Sequence, residues 1–549
     1  MVKPHTAHTD TPSPVFSAWS DLLADAASRP WLAGLLSRRG AATFRRFIYF
    51  YHRLLGLPAR LRRRWQRKLG LSLAGTALLL ALSGSAIYAA PGGVIVVDEV
   101  NCTLVDAITA ANTDTATGGC PAGSGADVIE LRADVVLTEV NNLGNNFGAT
   151  GLPVVSSEIR IEGGGHTVGR RADAPDFRIF SVQHSGRLTL RNAIVSGGNS
   201  ESFAGGGGID VNSATLIVDD SVITGNTATI GGGINANYAS LSVSNSIISN
   251  NSATLGGGVH AYVTDTKIQS SSLSGNMADL GGGIYIYRSG VEIARSVLSG
   301  NVAGSGGGIS VQRYGLVTVV NSTLSGNSAN YGGGVTGEGD IGMIISASTL
   351  TSNMADKMGG GIRSGLFSRL TLSNSIVTGN SAGVSGKEIR NDGSVTTNGN
   401  NFIGHSAETS AQAFSGFTPG PTDIVATSDG THPTALTGIL AANLADNGGP
   451  TLTHALVPGS PAIDASPSAG CAAAPVNGVD QRGFPRNVNG DGAPSENECD
   501  IGAYETQFES SPTPTPTPPP PAEIPEPTTL LLLGSGLAGL AAYIRRRAA

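Results

Sequence analysis

Short apolar segments recur along the middle of the chain at a nearly constant spacing. After each of several glycine runs, apolar and polar residues alternate, as in 209–212 and 284–287. This alternation is the period of a β-strand with one buried face. The runs are Gly-Gly-Gly-Ile/Val blocks spaced 25 to 27 residues apart, beginning at Gly206, Gly231, Gly256, Gly281, Gly306, Gly332 and Gly359. A fixed period of this size is typical of a solenoid.

Each period has room for three short strands joined by tight turns, and the pattern does not favour helices. Stacking of successive periods pairs each strand with its copy in the next coil, in parallel, at a rise of about 4.8 Å. We therefore predict an all-β fold, a parallel β-helix with about 25 residues per coil over residues 151–410. The general preference for right-handed crossovers predicts a right-handed coil.

Two polar columns run through the repeats at fixed positions. One is serine, at Ser221, Ser246, Ser271, Ser296, Ser322, Ser348 and Ser375. The other, five residues later, is asparagine, at Asn226, Asn251, Asn276, Asn301, Asn327, Asn353 and Asn380. We expect both to form side-chain ladders that satisfy buried polar groups at the corners of the coils, and so to be structural.

The N-terminal part of the chain carries an export signal. A basic extension, 1–68, ends in a cluster of arginines and is followed by the apolar run 69–89. Basic residues, an apolar run and small residues before a cleavage point form the pattern of a secretory signal peptide, with cleavage expected after Ala89. The alternative is an uncleaved signal anchor, because the apolar run approaches membrane-spanning length.

The C-terminal part repeats this arrangement in reverse. A Pro/Thr linker, 509–524, precedes Pro525, Glu526 and Pro527, then an apolar stretch that predicts a membrane helix, and finally Arg545, Arg546 and Arg547. This string resembles the PEP-CTERM sorting signal of exopolysaccharide-producing Gram-negative bacteria, here over 525–547. The resemblance implies a surface or extracellular-matrix protein, held in the membrane by its C-terminal helix until an exosortase-type enzyme cuts near the Pro-Glu-Pro triplet. The alternative is a permanent tail anchor.

Charge and cysteine content agree with export. The net charge is −7, and because the first 70 residues are basic, the body of the chain is strongly acidic. An acidic body argues against nucleic acid as a partner, since phosphate binding depends on Lys and Arg. The four cysteines, Cys102, Cys120, Cys471 and Cys499, flank the repeats in pairs and suggest one local disulfide at each end.

The flanks of the repeats resemble known modules. The Gly-Gly-Gly-Ile and Ser-Gly-Asn-x-Ala repeats are similar to right-handed β-helix repeats, including those of polymorphic outer-membrane proteins. Cys102-Thr-Leu-Val-Asp-Ala-Ile108 is similar to the CSLREA motif, and 447–450, 459–464, 480–483 and 499–505 resemble the choice-of-anchor Q domain. These resemblances imply an N-terminal cap, 90–150, and a C-terminal cap, 411–508, that cover open strand edges.

One candidate ligand site is a loop rich in oxygen ligands. Its residues follow the spacing of a calcium loop and are Asn487, Asn489, Asp491, Glu498 and Asp500. A bound Ca²⁺ would be structural. The alternative is a polar turn closed by Cys499.

A second candidate is a strip of outward-facing residues on the strands after the glycine blocks. Tyrosines are concentrated there, and consecutive coils would stack them into a track on which a sugar chain could pack. The predicted glycan-binding residues are Tyr238, Tyr262, Tyr285, Tyr287, Arg288, Arg313 and Tyr314. The alternative is ordinary solvent-exposed decoration of a β-face.

A catalytic site is harder to assemble from the sequence. Many parallel β-helices are polysaccharide lyases or hydrolases, which need clustered acids and a base. One local group, in neighbouring coils, fits that need: Glu338, Asp340, Asp356 and Lys357. The sequence thus predicts an exported protein that binds or organises polysaccharide, with a pectate-lyase-like enzyme and an adhesin as alternatives.

Overall fold

The computed structural model describes residues 93–142, 148–200, 205–486 and 498–507. The basic extension, the predicted signal peptide, the Pro/Thr linker and the sorting signal all lie outside these residues. Among the described residues, no helix is long and apolar enough to cross a membrane.

The described chain forms a parallel β-solenoid of about ten coils with about 26 residues per coil. Each regular coil has four strands, where the sequence predicted three. The first sheet follows the glycine blocks and consists of Phe180–Val182, Ile209–Asn212, Ile234–Asn237, Val259–Tyr262, Ile284–Tyr287, Ile309–Gln312, Val335–Glu338, Ile362–Ser364, Ile389–Asn391 and Phe414–Ser415. The handedness of the coil stays a prediction.

The chain then passes through the other three sheets in turn. The second sheet consists of Val94–Val97, Asp127–Leu131, Glu158–Glu162, Arg187–Arg191, Thr215–Asp219, Ser240–Ser244, Asp265–Gln269, Gly290–Ala294, Leu316–Val320, Ile341–Ser346, Ser368–Ser373 and Ser394–Thr397. The third consists of Val135–Leu137, Thr167–Arg170, Ile194–Ser196, Val222–Thr224, Ile247–Ser249, Ser272–Ser274, Val297–Ser299, Thr323–Ser325, Thr349–Thr351, Ile376–Thr378, Phe402–Ile403 and Ile424–Val425. The fourth consists of Asn199–Ser200, Thr227–Ala228, Ser252–Leu255, Met277–Leu280, Val302–Ser305, Ser328–Tyr331, Met354–Met358 and Ser381–Ala382.

Few other elements are present in the described chain. Helix α1, Leu104–Thr113, is N-capped by the Thr103 side chain, and its apolar face joins the core at the N-terminal end. Helices α2, Ser410–Ala413, and α3, Ser468–Ala472, and the 3₁₀ turn Leu436–Gly438 are short. Ser466–Pro467 and Glu498–Cys499 form an antiparallel pair.

The repeat sets the register. Ile209 pairs with Ile234, which pairs with Val259, so each glycine block stacks on the next. The predicted inward residues, such as Ile209 and Val211, are fully buried in one continuous core that runs from Ile95 to Phe417. Close packing of the glycine blocks requires the absence of a side chain: a Cβ on Gly282 would lie 2.6 Å from the carbonyl oxygen of Gly307.

Both polar columns form the expected ladders. The Asn276 amide N–H and its Nδ2 each donate to Asn301 Oδ1 at 3.0 Å, and Asn301 donates to Asn327 in the same way. In the serine column, each backbone N–H up to that of Ser348 donates to the hydroxyl of the next coil, as from Ser271 to Ser296 Oγ at 3.1 Å, and the Ser375 N–H donates to Asn401 Oδ1. The structural role predicted for these columns agrees with this geometry.

Two disulfides close the flanking regions, Cys102–Cys120 and Cys471–Cys499, as the sequence predicted. The solenoid strands themselves extend into both regions that were predicted as caps, from Val94 to Val425.

Residues 436–486 and 498–507 do not continue the coil but pack along its side, against the third sheet and its neighbouring corner. Thr323 Oγ1 donates to Gln481 Oε1 at 2.6 Å, Ser325 Oγ lies 2.8 Å from His454 Nε2, and the Ala503 N–H donates to Thr349 Oγ1 at 3.0 Å. The C-terminal region therefore covers coils in the second half of the solenoid as well as their end.

Candidate functional site: an aromatic edge on the first sheet

The outer face of the first sheet carries two columns of side chains. In each four-residue strand the first and third residues point into the core, and the second and fourth point outward. Pairing across coils places His260 opposite Tyr285 and Tyr262 opposite Tyr287. The second-position and fourth-position columns differ sharply in their surroundings.

The fourth-position column and the turn that follows it form an aromatic edge, defined by Tyr238, Tyr262, Tyr287, Arg288 and Tyr314. The rings of Tyr262 and Tyr287 are stacked at 13° with centroids 5.4 Å apart, and Tyr238 meets Tyr262 edge to face, also at 5.4 Å. The Arg288 guanidinium lies 5.8 Å from the Tyr287 ring and 5.9 Å from the Tyr314 ring. The structure thus brings together four of the five predicted tyrosines.

The exposure of the rings limits how a ligand can use them. The stacked pair, Tyr262 and Tyr287, is only partly exposed, since each ring covers part of the face of the other. Tyr238 and Tyr314, in contrast, are 57% and 67% exposed. The surfaces available for packing against a sugar ring are therefore at the two ends of the aromatic edge.

The backbone of this edge is unusual. The turn between the first and second sheets has positive φ at Tyr238, Val263, Arg288, Arg313 and Tyr314. This left-handed conformation costs about 1 kcal/mol or more for residues other than Gly, Asn and Asp. At the corner between the third and fourth sheets, the positive-φ positions are mostly Gly or Asn, for which this conformation costs little; they are Gly225, Asn250, Gly275, Gly300, Gly326 and Gly379, with Ser352 as an exception. The aromatic edge is thus a place where large side chains occupy positions that favour glycine, which is common at functional sites.

Positive charge lies beside these rings. Arg288 and Arg313 are exposed, and among the described residues neither has a carboxylate within ion-pair distance. A hydrogen bond to Tyr238 raises the pKa of the Tyr262 hydroxyl above its usual range, with the nearby Arg288 charge opposing the shift. The Tyr262 hydroxyl therefore stays protonated at neutral pH and can act as a hydrogen-bond donor.

Tyr285 does not belong to this surface, although the sequence placed it there. Its side chain is 5% exposed, because the turn formed by the glycine block folds over the second-position column. A Cβ on Gly281 would lie 2.7 Å from the Tyr285 backbone nitrogen, which shows how tightly the turn closes over this position. The prediction that Tyr285 offers its ring to a ligand is wrong for this reason.

The second-position column is instead a buried polar chain. Arg178 Nη1 donates to Asp210 Oδ2 at 2.8 Å, and Asn235 Nδ2 donates to Asp210 Oδ1 at 2.7 Å. Asn235 Oδ1 lies 2.7 Å from His260 Nδ1, and the His260 ring stacks on Tyr285 at 5.5 Å. Burial lowers the pKa of His260 to about 4, so this imidazole is neutral at physiological pH.

Two apolar residues on the same edge escaped the sequence reasoning. Leu366 and Phe367 occupy the equivalent turn two coils beyond Tyr314, and Phe367 is 77% exposed with φ of 65°. Phe367 lies eight residues after Gly359, as Tyr314 lies eight residues after Gly306, so counting from the glycine blocks aligns the two. A bulky residue just after a repeat strand was the signal that could have revealed it.

The four residues considered for catalysis are separated among different elements. Glu338 forms an ion pair with Arg363 at 2.6 Å, and Asp340 pairs with Arg369 at 3.1 Å. Lys357, in the fourth sheet, donates to the Tyr331 hydroxyl at 3.1 Å. Asp356 precedes Lys357 in the same strand.

The candidate calcium loop is described only at its end. Asn487, Asn489 and Asp491 lie outside the described residues. Glu498 is exposed, and Asp500 is fully buried, where its carboxylate accepts the N–H groups of Asp464 at 2.8 Å and Thr506 at 2.5 Å. Those bonds hold Asp500 within the C-terminal region.

Comparison with known proteins gives information on one segment. Residues 523–547 match the PEP-CTERM protein-sorting motif. This motif implies export, recognition by an exosortase-type sorting enzyme and sorting to the cell surface of a Gram-negative bacterium. No curated protein and no solved structure matches the chain. The resemblances of the flanks to the CSLREA motif and the choice-of-anchor Q domain stay predictions.

Proposed function

We propose that this protein is a cell-surface or matrix solenoid that binds an extracellular polysaccharide along the aromatic edge of its first sheet. The observation that carries the proposal is the row of four tyrosines beside Arg288, in which Tyr238, Arg288 and Tyr314 occupy left-handed turn positions. Large side chains there reduce stability, so a binding role accounts for their presence better than packing does. Tyrosine hydroxyls and the exposed rings at the two ends suit the hydroxyls and C–H groups of a sugar chain.

The positive charge at the aromatic edge favours an acidic polysaccharide as the ligand. Arg288 and Arg313 are exposed and lack a carboxylate partner among the described residues, so a carboxylate or sulfate on a sugar would supply the missing counterion. The coil rise of about 4.8 Å repeats these groups along the solenoid axis, which suits an extended polymer. The enzyme alternative has less support, because Glu338 and Asp340 are each engaged by an arginine.

Affinity electrophoresis of the purified protein in gels that contain acidic or neutral polysaccharides tests the proposal. We expect retardation in acidic gels, and an apparent Kd at least about 10-fold weaker for a Tyr238→Ala/Tyr314→Ala variant. Ile247→Ala, which removes an exposed apolar residue from the third sheet, is the matched control and should leave retardation unchanged.

Three outcomes would count against binding at the aromatic edge. Absence of retardation in every gel would favour an adhesin that contacts protein. Equal retardation of the double variant would place the glycan elsewhere. Shortened polysaccharide recovered from the lanes would favour the lyase or hydrolase.

A further inference from the structure

The last regular coil ends the asparagine ladder with a carboxylate. In the register of the first sheet, Lys387 and Glu388 occupy the places of Gly360 and Gly361 of the preceding coil. The Glu388 side chain is fully buried, where it accepts the Asn380 N–H at 3.2 Å and the Asn380 Nδ2 at 2.6 Å. A ladder that otherwise pairs amide with amide therefore finishes on a carboxyl group as the acceptor.

Two further ligand groups converge on Glu388. One atom each of Glu388, His405 and Glu408 lies within 4.8 Å of the others. The Glu408 side chain is fully buried, yet neither of its carboxylate oxygens accepts a hydrogen bond from an N–H or hydroxyl donor among the described residues, and only a proton shared with the adjacent Glu388 carboxyl could bond it. Its nearest cationic groups are Lys387 Nζ at 3.8 Å and His405 Nε2 at 4.0 Å, too far for hydrogen bonds.

An unsatisfied carboxylate in a dry site is costly, and a second carboxylate beside it raises the cost. Burial, and then the neighbouring Glu408, raise the pKa of Glu388 well above its ordinary value. The site therefore needs either a shared proton or a bound cation. The imidazole distinguishes these options, because one nitrogen and two carboxylates form a ligand set for a transition metal.

We propose that Glu388, His405 and Glu408 bind a divalent transition-metal ion such as Zn²⁺ or Mn²⁺. Ca²⁺ and Mg²⁺ fit less well, since they prefer oxygen ligands alone. Coordination by His405 Nε2 requires the proton on Nδ1, so the contact from the Ala407 N–H to Nδ1, which is long at 3.3 Å, must open. The ion enters from the side of His405, the one partly exposed ligand.

The position of the site suggests what the ion does. Glu388 belongs to the coil that ends the ladder, and Glu408 belongs to the segment that leads into helix α2 and the last strands. The Glu408 carbonyl also accepts the Ser428 N–H at 2.8 Å. A metal bridging these segments would fasten the final coils, which have fewer neighbours than the central ones.

Thermal unfolding of the full-length protein in detergent, stripped with a chelator and titrated with Zn²⁺ or Mn²⁺, tests the site. Metal should raise the Tm of the parent by about 3 °C or more. In Glu408→Gln, the Tm without metal should equal or exceed that of the parent, because a buried charge is removed, whereas the metal-dependent rise should be lost. Titration calorimetry should show affinity about 100-fold weaker, or worse.

Two more variants make the test decisive. Glu162→Gln, which alters a partly exposed carboxylate of the second sheet, should keep the full metal response. His405→Ala, at a partly exposed position, should lose the metal-dependent rise in Tm. It replaces Glu408→Gln as the test variant if the Glu408→Gln protein does not fold. No rise in the parent, or an equal rise in all the variants, would overturn the metal site. Such a result would leave the shared proton as the explanation, and it would not bear on glycan binding.

Discussion

At the scale of single residues, the outer face of the first sheet places buried and exposed side chains two positions apart. Tyr285 and Tyr287 belong to the same strand, and alternation assigns both to the outside. The glycine-block turn buries Tyr285 and leaves Tyr287 at the aromatic edge. His260 lies in the same buried column as Tyr285. The pKa of its imidazole falls in a pH range in which stability can be measured.

His260 should make stability depend on pH. The unfolded His takes up a proton near pH 6.5, whereas the folded one stays neutral until about pH 4. The unfolded state thus binds more protons between these values, so the free energy of unfolding falls as pH drops from 6.5 towards 4, by up to about 3 kcal/mol. His260→Asn, measured by urea unfolding from pH 4.5 to 7, should flatten this dependence.

The matched control for that measurement is His432→Asn, which changes an exposed histidine and should keep the parent slope. A His260→Asn protein with the parent slope would mean that the imidazole is protonated in the folded state. The sequence alone did not reveal this burial. The alternation of polar and apolar residues predicts on which face of the sheet a side chain lies, but it does not show whether a neighbouring turn covers that side chain.

At the scale of elements, the asparagine ladder joins coils through buried amides. Asn301 accepts from the backbone and side chain of Asn276 and donates to Leu273 O and Asn327 Oδ1. Asn301→Ala leaves several buried groups without partners, and we expect it to lower the free energy of unfolding by about 3 kcal/mol. The midpoint of urea denaturation, at unchanged m-value, measures this loss.

Asn330→Ala is the control for the ladder, because Asn330 is an exposed asparagine of the fourth sheet. Its effect should stay within about 0.5 kcal/mol. A similar small effect for Asn301→Ala would show that the ladder contributes little. The ladder could be predicted from the sequence since its spacing repeats in every coil. The fourth strand was missed because it is as short as two residues, as in Thr227–Ala228, and shows no alternation.

At the scale of the molecule, the C-terminal region adds long-range contacts to a fold that is otherwise local. In a solenoid each coil contacts its neighbours, so stability is close to a sum along the axis. The described residues of this region, 436–486 and 498–507, instead bind several coils at once, at Asn321, Ala347 and Asn374. The sequence did not predict the path of this region. Thr323 and Thr349, which lie beneath it, are of the same residue type as the uncovered Thr224, and the region itself has no repeat period.

Arg486 is the residue through which this lateral packing can be tested. It is wholly buried and donates to Asn321 Oδ1 at 3.1 Å, to Ala347 O at 3.4 Å and to Gly502 O at 2.6 Å. Arg486→Met removes the donor to these acceptors and the buried cation that pairs with Glu505, so we expect a loss of about 3–5 kcal/mol. Hydrogen exchange should locate that loss: amides from 297 to 378 should exchange faster, and amides from 209 to 249 should be unchanged.

Faster exchange in only some of the coils would distinguish local stabilisation by the C-terminal region from a general loss of stability. Arg171→Met, which removes an exposed ion pair with Asp173, should change neither region. If Arg486→Met accelerates exchange equally in all coils, the solenoid unfolds as one cooperative unit and the lateral region has no separate role. If exchange rises only within 436–507, that region is held by the solenoid without stabilising it. Faster exchange confined to the covered coils would show that the C-terminal region turns part of a linear array into a cooperative block.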